Sequence, residues 1–152
     1  MNTALAGGRQ AGLNGSMGGT YKMSQKSARL GFWITTSFFS FMMAFTAYNE
    51  LASPQVAEVF AHLGFPSHAF RLELSVAKVL GVLALLLPFV PGKLKEWAYA
   101  GFTINLLSAL IAHLAAGDDA SKWVWSLGFW GLLALSYVFR AKLERGATGP
   151  AS

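Results

Sequence analysis

Four long apolar segments alternate with short polar stretches along the chain. They occupy residues 30–51, 72–90, 97–116 and 123–139. As α-helices of about 17–22 residues they would be about 25–33 Å long, which matches the hydrocarbon core of a bilayer. Short connections make sequential helices antiparallel neighbours. The pattern therefore predicts an all-α integral membrane protein folded as an up-down four-helix bundle.

A shorter segment between the first two spans has a helical period of its own. Its apolar residues recur at the spacing of one helix face: Val56, Val59, Phe60 and Leu63. Ser53 suits the N-cap of this helix, Pro54 its first turn and Gly64 its end. We predict a short amphipathic helix that lies on the membrane surface or covers the bundle.

Polar and small residues mark the ends and the expected contacts of the later spans. Ser67 can cap the second span, and Pro88, which has no backbone N–H to donate, ends it. Glu96 is expected in the first turn of the third span, where a carboxylate complements the helix dipole. Small residues allow helices to approach closely, so paired small residues are expected at helix contacts. These pairs are Ala77 with Gly81, Ser108 with Ala112, and Gly128 with Gly131.

Threading the four spans back and forth places most basic residues on one face of the membrane. That face receives Arg9, Lys22, Lys26, Arg29, Lys93, Lys95, Arg140, Lys142 and Arg145. The opposite face receives Arg71 and Lys122, and Lys78 lies inside the second span. Because cytoplasmic loops are enriched in Lys and Arg, we predict a multi-pass protein with both termini and the middle loop in the cytoplasm.

The composition agrees with lipid as the main solvent. The 152 residues are 54% hydrophobic and 12% charged, whereas a soluble domain carries about 25% charged residues. The net charge of +5 is explained by basic residues that flank apolar spans, so no nucleic-acid partner is expected. The chain has no cysteine, which excludes a disulfide, a thiolate-bound cluster and a dithiol mechanism of its own.

Three regions are predicted from these patterns. Residues 1–26 form a disordered, glycine-rich cytoplasmic tail, residues 27–143 form the membrane domain, and residues 144–152 form a second cytoplasmic tail. Met1, Met17 and Met23 all stay open as the true start. A cleaved signal peptide is the alternative to the first span, but the uncharged run over residues 30–49 exceeds a usual signal core of about 7–15 residues.

Polar side chains inside the spans are the candidates for a site, because a charge at the centre of a membrane helix costs about 2.5–3.5 kcal/mol on insertion scales. The topology brings several of them to one level near the outer end of the bundle. This candidate ligand or proton site consists of Lys78, His113, Glu73, Glu50 and Trp123, with Trp125 at the same depth.

Each member also has a structural explanation. Lys78 can extend toward the interface or pair with a carboxylate on a neighbouring helix. Glu73 and Lys78 lie five residues apart and face different neighbours, which makes Glu50 the expected partner of Lys78. His113 is either a proton relay or a residue hydrogen-bonded to a neighbour, and Asn105 is expected to join helices.

No metal site is predicted. Glu58 and His62, four residues apart, and His68 could in principle supply ligands. A solvated Glu–His pair explains the same spacing. A haem would need two histidines deep within the bundle, and only His113 lies inside a span.

Four ordered segments resemble the DoxX-like family of small bacterial membrane proteins over about 110 residues, from Leu30 to Phe139. These segments are Leu63-Gly64-Phe65-Pro66, then Lys78-Val79-Leu80-Gly81 running to Leu87-Pro88, then Lys95-Glu96-Trp97-Ala98-Tyr99-Ala100-Gly101, and Ala112-His113-Leu114-Ala115-Ala116-Gly117-Asp118. The resemblance implies a four-helix protein of the bacterial inner membrane, with family positions at Lys78, Glu96, Trp97 and His113.

Some proteins of that kind are linked to thiosulfate:quinone oxidoreduction or to oxidoreductase complexes that handle oxidative or thiol stress. The resemblance thus implies a quinone as candidate cofactor and an oxidoreductase as partner subunit. In that hypothesis Lys78 or His113 binds a carbonyl, Glu73 buffers the proton and Trp123 or Trp125 stacks on the ring. A non-catalytic membrane scaffold and, third, a small-molecule permease are the alternatives. Whether the protein is an enzyme, its substrate and its oligomeric state stay open.

Overall fold

The computed structural model describes residues 24–147, which fold into five α-helices without a strand in that part of the chain. They are α1 Gln25–Ala52, α2 Pro54–His62, α3 His68–Leu86, α4 Gly92–Ala115 and α5 Ala120–Ala147. The all-α prediction is confirmed. The predicted N-terminal tail falls almost wholly outside the described residues, as do the last five residues of the C-terminal tail.

Serine hydroxyls cap the first three helices, and the caps of α2 and α3 are the ones that the sequence predicts. Ser53 accepts a hydrogen bond from the backbone N–H of Val56 at the start of α2, and Ser67 accepts one from Phe70 at the start of α3. Gly64 follows α2 with φ +89°, a conformation that other residues rarely adopt. The short helix between the first two long ones is therefore present where its punctuation predicts it.

The predicted end of the second span at Pro88 is right to within two residues, whereas the predicted start of the third span is wrong by about one helical turn. α3 ends at Leu86, because Pro88 disfavours helical backbone at the residue before it, and the second apolar segment does not stay helical to Val90. α4 begins at Gly92, directly after Pro91, so Glu96 is the fifth helical residue and lies beyond the first turn. The Pro91-Gly92 turn starts α4 earlier than the apolar pattern alone indicates.

Three of the helices, α1, α4 and α5, are long and apolar enough to cross a membrane. α3 is not among them, because its 19 residues include the charged side chains of Arg71, Glu73 and Lys78. Large apolar side chains cover the outward face of α1 with 55–63% of their surface exposed; these are Leu30, Ile34, Phe38, Phe41 and Phe45. Soluble monomers rarely expose a continuous apolar face of this kind, so lipid is its natural environment.

The long helices pack so that each contacts two others. α1 lies against α3 and α5, and α4 lies against the same two helices, while α2 contacts α1. The buried apolar core consists of Phe39, Met43, Val82, Leu85, Tyr99, Phe102, Leu106 and Leu133. The rings of Phe39 on α1 and Phe102 on α4 meet edge to face with centroids 5.1 Å apart, so these two helices, which are not packing neighbours, meet through side chains in the centre of the core.

Glycine allows close contact at two of these interfaces. A Cβ at Gly81 would lie 2.7 Å from the ring of Phe102, and a Cβ at Gly31 would lie 2.8 Å from that of Phe139. The predicted contact through Gly128 and Gly131 is wrong, since a Cβ at either position would meet no atom within 4 Å. These two glycines lie on an open face of α5, so the small-residue pattern alone did not distinguish a packed face from a free one.

Candidate functional site

Glu50, in the last turn of α1, is the centre of a buried polar cluster. Its carboxylate accepts hydrogen bonds from the Lys78 ammonium and, at 3.0 Å, from the Ser75 hydroxyl. Its backbone carbonyl accepts one from Arg71 at 3.2 Å. Glu50 is 4% and Lys78 7% exposed, so the ion pair expected between them is present and shielded from solvent. We call this side of the molecule, where α1 ends and α3 begins, the Glu50 end.

Helix periodicity explains why α3 supplies all three donors. Positions 71, 75 and 78 are separated by four and three residues, so their side chains lie on one face of the helix. Glu73 lies on a different face and is exposed. It makes no ion pair or hydrogen bond within residues 24–147, and the structure thus does not bring it to the Lys78 cluster with which the sequence grouped it.

A cavity of about 420 Å³ lies at the Glu50 end. Its polar lining includes Glu50, Lys78, Asn105, His113 and Lys122, and its apolar walls include Met43, Leu106, Trp125 and Phe129. Binding pockets for small organic molecules have about this size and this mixture of apolar walls with a few polar groups. Trp125 lines the cavity, whereas Trp123, the aromatic residue that the sequence favoured, is not part of its lining.

Asn105 differs from the other polar residues of this cavity. Glu50 and Lys78 bind each other, and His113 binds Asp118. The side-chain amide of Asn105 makes no hydrogen bond to another residue in the described part of the chain. Its donor and acceptor groups are therefore not used by the described residues, and the hydrogen bond expected to join Asn105 to another helix is not present among them.

His113 belongs to a second polar group at the Glu50 end. Its Nδ1 lies 2.7 Å from Asp118, and Nε2 of His62 lies 3.0 Å from the other oxygen of the same carboxylate. The hydrogen bond with His113, followed by that with His62, lowers the pKa of Asp118 below its usual value, because both bonds favour the ionised carboxylate. Asp118 thus joins the end of α2 to the end of α4.

The structure gives no support for a metal site at the histidines. Within residues 24–147, no group of three histidine, cysteine or acidic side chains is arranged to hold a metal ion. His62 uses its Nε2 atom for Asp118 and not for a site shared with Glu58 and His68.

A third polar cluster lies in the opposite half of the molecule, and sequence reasoning missed it. The Ser136 hydroxyl lies 2.6 Å from that of Thr36 and 2.8 Å from that of Tyr99. Arg140, one turn later on α5, is only 7% exposed and lies 5.8 Å from the centre of the Tyr99 ring. The sequence placed Arg140 among surface charges, yet the spacing of four residues from Ser136 puts it on the same inward face.

Arg140 also positions the start of α4. Its guanidinium donates to the carbonyl of Gly92 at 3.1 Å and to Glu144 at 2.9 Å, and it lies 3.8 Å from the carboxylate of Glu96. Glu96 therefore lies far from the Glu50 end. Trp97, the neighbouring family position, is 78% exposed on the outward side of α4.

Membrane-capable helices around a buried ion pair and a cavity define this molecule as an integral membrane protein. The model of the DoxX-like family matches residues 34–136, which include the Glu50–Lys78 pair, Asn105, His113 and Trp125. The chain therefore belongs to the DoxX-like family. No curated protein and no solved structure matches it.

Proposed function

We propose that the chain is a four-span protein of the bacterial cytoplasmic membrane whose cavity binds a quinone-like ring, and that it serves as an accessory subunit of a membrane oxidoreductase system. The observation that carries this proposal is the unpartnered amide of Asn105 in a largely apolar cavity beside the buried Glu50–Lys78 pair. Such a cavity fits a flat apolar ring that carries carbonyl oxygens.

The four-span part of the proposal rests on how the charges of α3 are satisfied. Its buried Lys78 pairs with the Glu50 carboxylate of α1, and Arg71 donates to the Glu50 carbonyl. A charge that is paired inside a helix assembly can lie at membrane depth, so α3 can cross the bilayer although its composition alone disfavours it. The excess of Lys and Arg near Gln25, Gly92 and Ala147 favours a cytoplasmic location for these helix ends.

The residues around the cavity fit a carbonyl-bearing ring in three ways. Asn105 would donate a hydrogen bond to a carbonyl oxygen, and Trp125 or Phe129 would lie against the ring. Lys78 would hold a proton next to Glu50 and close to the same oxygen. A quinone, when bound, supplies two-electron, two-proton redox chemistry. Because the chain has no cysteine, the electrons would come from a partner subunit or from another bound group.

The test is to purify the protein in detergent, extract its lipids and identify quinones by mass spectrometry. A titration with the decyl-substituted benzoquinone, followed by tryptophan fluorescence, then gives the affinity. We expect Asn105→Leu to weaken binding by about tenfold or more, with Glu73→Gln, a change on an exposed face outside the cavity, as the matched control. Absence of both co-purified quinone and measurable binding would refute the proposal.

The second candidate function is a membrane scaffold without a small-molecule ligand. It is favoured by the fact that Glu50, Lys78 and His113 bind other side chains of the protein. In that case Lys78→Ala and His113→Ala would reduce the amount of folded protein, and Asn105→Leu would change nothing that is measured in the titration. A permease, the third hypothesis, would in addition show solute flux in liposomes.

A further inference from the structure

A groove of about 510 Å³ runs along the outside of the molecule between α3 and α4. Its walls are mostly apolar and include several small side chains; among its residues are Leu74, Ala77, Leu80, Ala84, Trp97 and Gly101. Along α4 it extends from Leu94 to Asn105, a length of about 16 Å at a rise of 1.5 Å per residue. The groove is therefore long, narrow and open toward the surroundings of α3 and α4.

The groove and the cavity share two residues. Lys78 and Asn105 line both of them, and they are the polar residues at the point where the two spaces approach each other. Lys78 is buried and paired with Glu50, while Asn105 has no side-chain partner within the described residues. One molecule could thus place a polar head beside Asn105 in the cavity and an apolar chain in the groove.

We propose that the α3–α4 groove binds the long apolar chain of the same molecule whose ring occupies the cavity, so that the ligand is a membrane-dissolved compound with a hydrocarbon or prenyl tail. This inference rests on the proposed function. The groove suits a chain because it is elongated and apolar and because it leads to the polar residues of the cavity. A ligand of this kind enters sideways from the bilayer, between α3 and α4, and not from water.

Glycine at position 101 allows a direct test. A Cβ at Gly101 would meet no atom within 4 Å, so a side chain at this position starts in open space. Gly101→Leu adds bulk to the groove and replaces a poor helix former with a good one. Gly128 on α5 is equally open, and it lines neither the groove nor the cavity. Gly128→Leu is therefore the matched control for adding the same side chain to a helix surface.

The experiment measures the affinity of the purified, full-length chain for two probes in detergent. The probes are decyl-substituted benzoquinone and the same ring without its decyl chain. We expect Gly101→Leu to weaken binding of the decyl compound by about tenfold or more and to leave binding of the short compound unchanged. Gly128→Leu should bind both compounds like the parent protein.

The outcomes separate this inference from the proposed function. If the parent protein binds neither compound, the proposed function fails and the groove has no such role. If the parent binds both compounds equally well and Gly101→Leu alters neither affinity, the cavity binds the ring but the groove does not bind the chain. If Gly101→Leu changes only the oligomeric state, measured by light scattering, the groove contacts a second copy and the inference is overturned.

Discussion

Glu50 allows three polar side chains of α3 to be buried or half-buried, because it accepts a hydrogen bond from each of them. Its carboxylate binds Lys78 and Ser75, and its carbonyl binds Arg71. Removing one member of a buried ion pair leaves the other charge without a partner, which costs about 3–5 kcal/mol. The pair is therefore the place where a single substitution on α3 should have the largest effect on stability.

We predict that Lys78→Ala lowers the free energy of unfolding by about 3–5 kcal/mol, because Glu50 stays buried without its cation. Exchanging the charges, with Glu50→Lys and Lys78→Glu together, should recover most of this loss. Thermal unfolding in detergent, followed by circular dichroism, measures both effects. Glu73→Gln is the control and should leave the midpoint almost unchanged. A double variant no more stable than either single variant would contradict a direct pairing.

At the scale of elements, the Asp118 carboxylate connects α2 to the α4–α5 turn through hydrogen bonds. α2 has no buried residue, and among the helices it packs against α1. Its His62 bonds to Asp118, which also bonds to His113 at the end of α4. A short helix with little buried surface depends on such local contacts for its position. The ionised form of Asp118 is the form that both bonds favour.

The contribution of Asp118 to the stability of the fold depends on pH, and its pKa gives the sign of that dependence. Because the pKa of Asp118 is lower in the folded protein than its usual value, Asp118 stabilises the fold above its unfolded-state pKa. That contribution is lost as the pH falls through the lowered folded-state pKa. We expect the protection of α2 amides against hydrogen exchange, corrected for the intrinsic exchange rate, to stay constant above about pH 4, the usual pKa of an aspartate, and to fall below it.

Asp118→Asn should remove this acid dependence, after correction for the intrinsic exchange rate, and should leave the rest of the profile unchanged. Asp119→Asn is the matched control, since the Asp119 side chain makes no hydrogen bond within residues 24–147. Mass spectrometry of peptides from α2 provides the measurement. If hydrogen exchange of α2 depended on acid equally in the parent and in Asp118→Asn, the carboxylate would not be what holds α2 in position.

At the scale of the whole molecule, the ends of the helices meet as expected for antiparallel neighbours: the end of one helix contacts the start of another. Glu50 at the end of α1 binds residues near the start of α3, and Lys95 near the start of α4 donates to Leu85 at the end of α3. Arg140 near the end of α5 binds Gly92 at the start of α4. These contacts are compatible with four spans, although among the helices of residues 24–147 length and composition indicate a span for three, α1, α4 and α5.

The absence of cysteine makes this topology accessible to single-cysteine labelling. We predict that Gln55→Cys and Asp119→Cys react with a membrane-impermeant maleimide in intact bacterial cells, and that Lys93→Cys reacts only after lysis. Four spans put residues 55 and 119 on the same side and residue 93 on the other. If only α1, α4 and α5 crossed the membrane, residues 55 and 93 would react together, and that result would refute the four-span arrangement.

Part of the site could be predicted from the sequence because span topology assigns a depth to each polar residue. Depth alone pairs Glu50 with Lys78 and brings His113 to the same end of the molecule. Depth does not predict which residues meet where rotation about the helix axis matters. Glu73 lies in depth between Arg71 and Lys78, which both bind Glu50, but it lies on another face, and Trp125, not Trp123, lines the cavity. The depth of a residue in the membrane follows from its position along the helix. The direction in which its side chain points is useful only once it is known which helices are neighbours.

The sequence by itself determined the helical class, the amphipathic α2 and the family, since these depend on local periodicity, capping residues and ordered motifs. Only the tertiary structure revealed the buried Arg140 with Ser136 and Tyr99, and the groove that shares Asn105 and Lys78 with the cavity. The physical reason is that apolar residues cover every side of a helix that lies in lipid. Hydrophobicity therefore does not distinguish the face toward lipid from the face toward another helix, and packing alone makes that distinction.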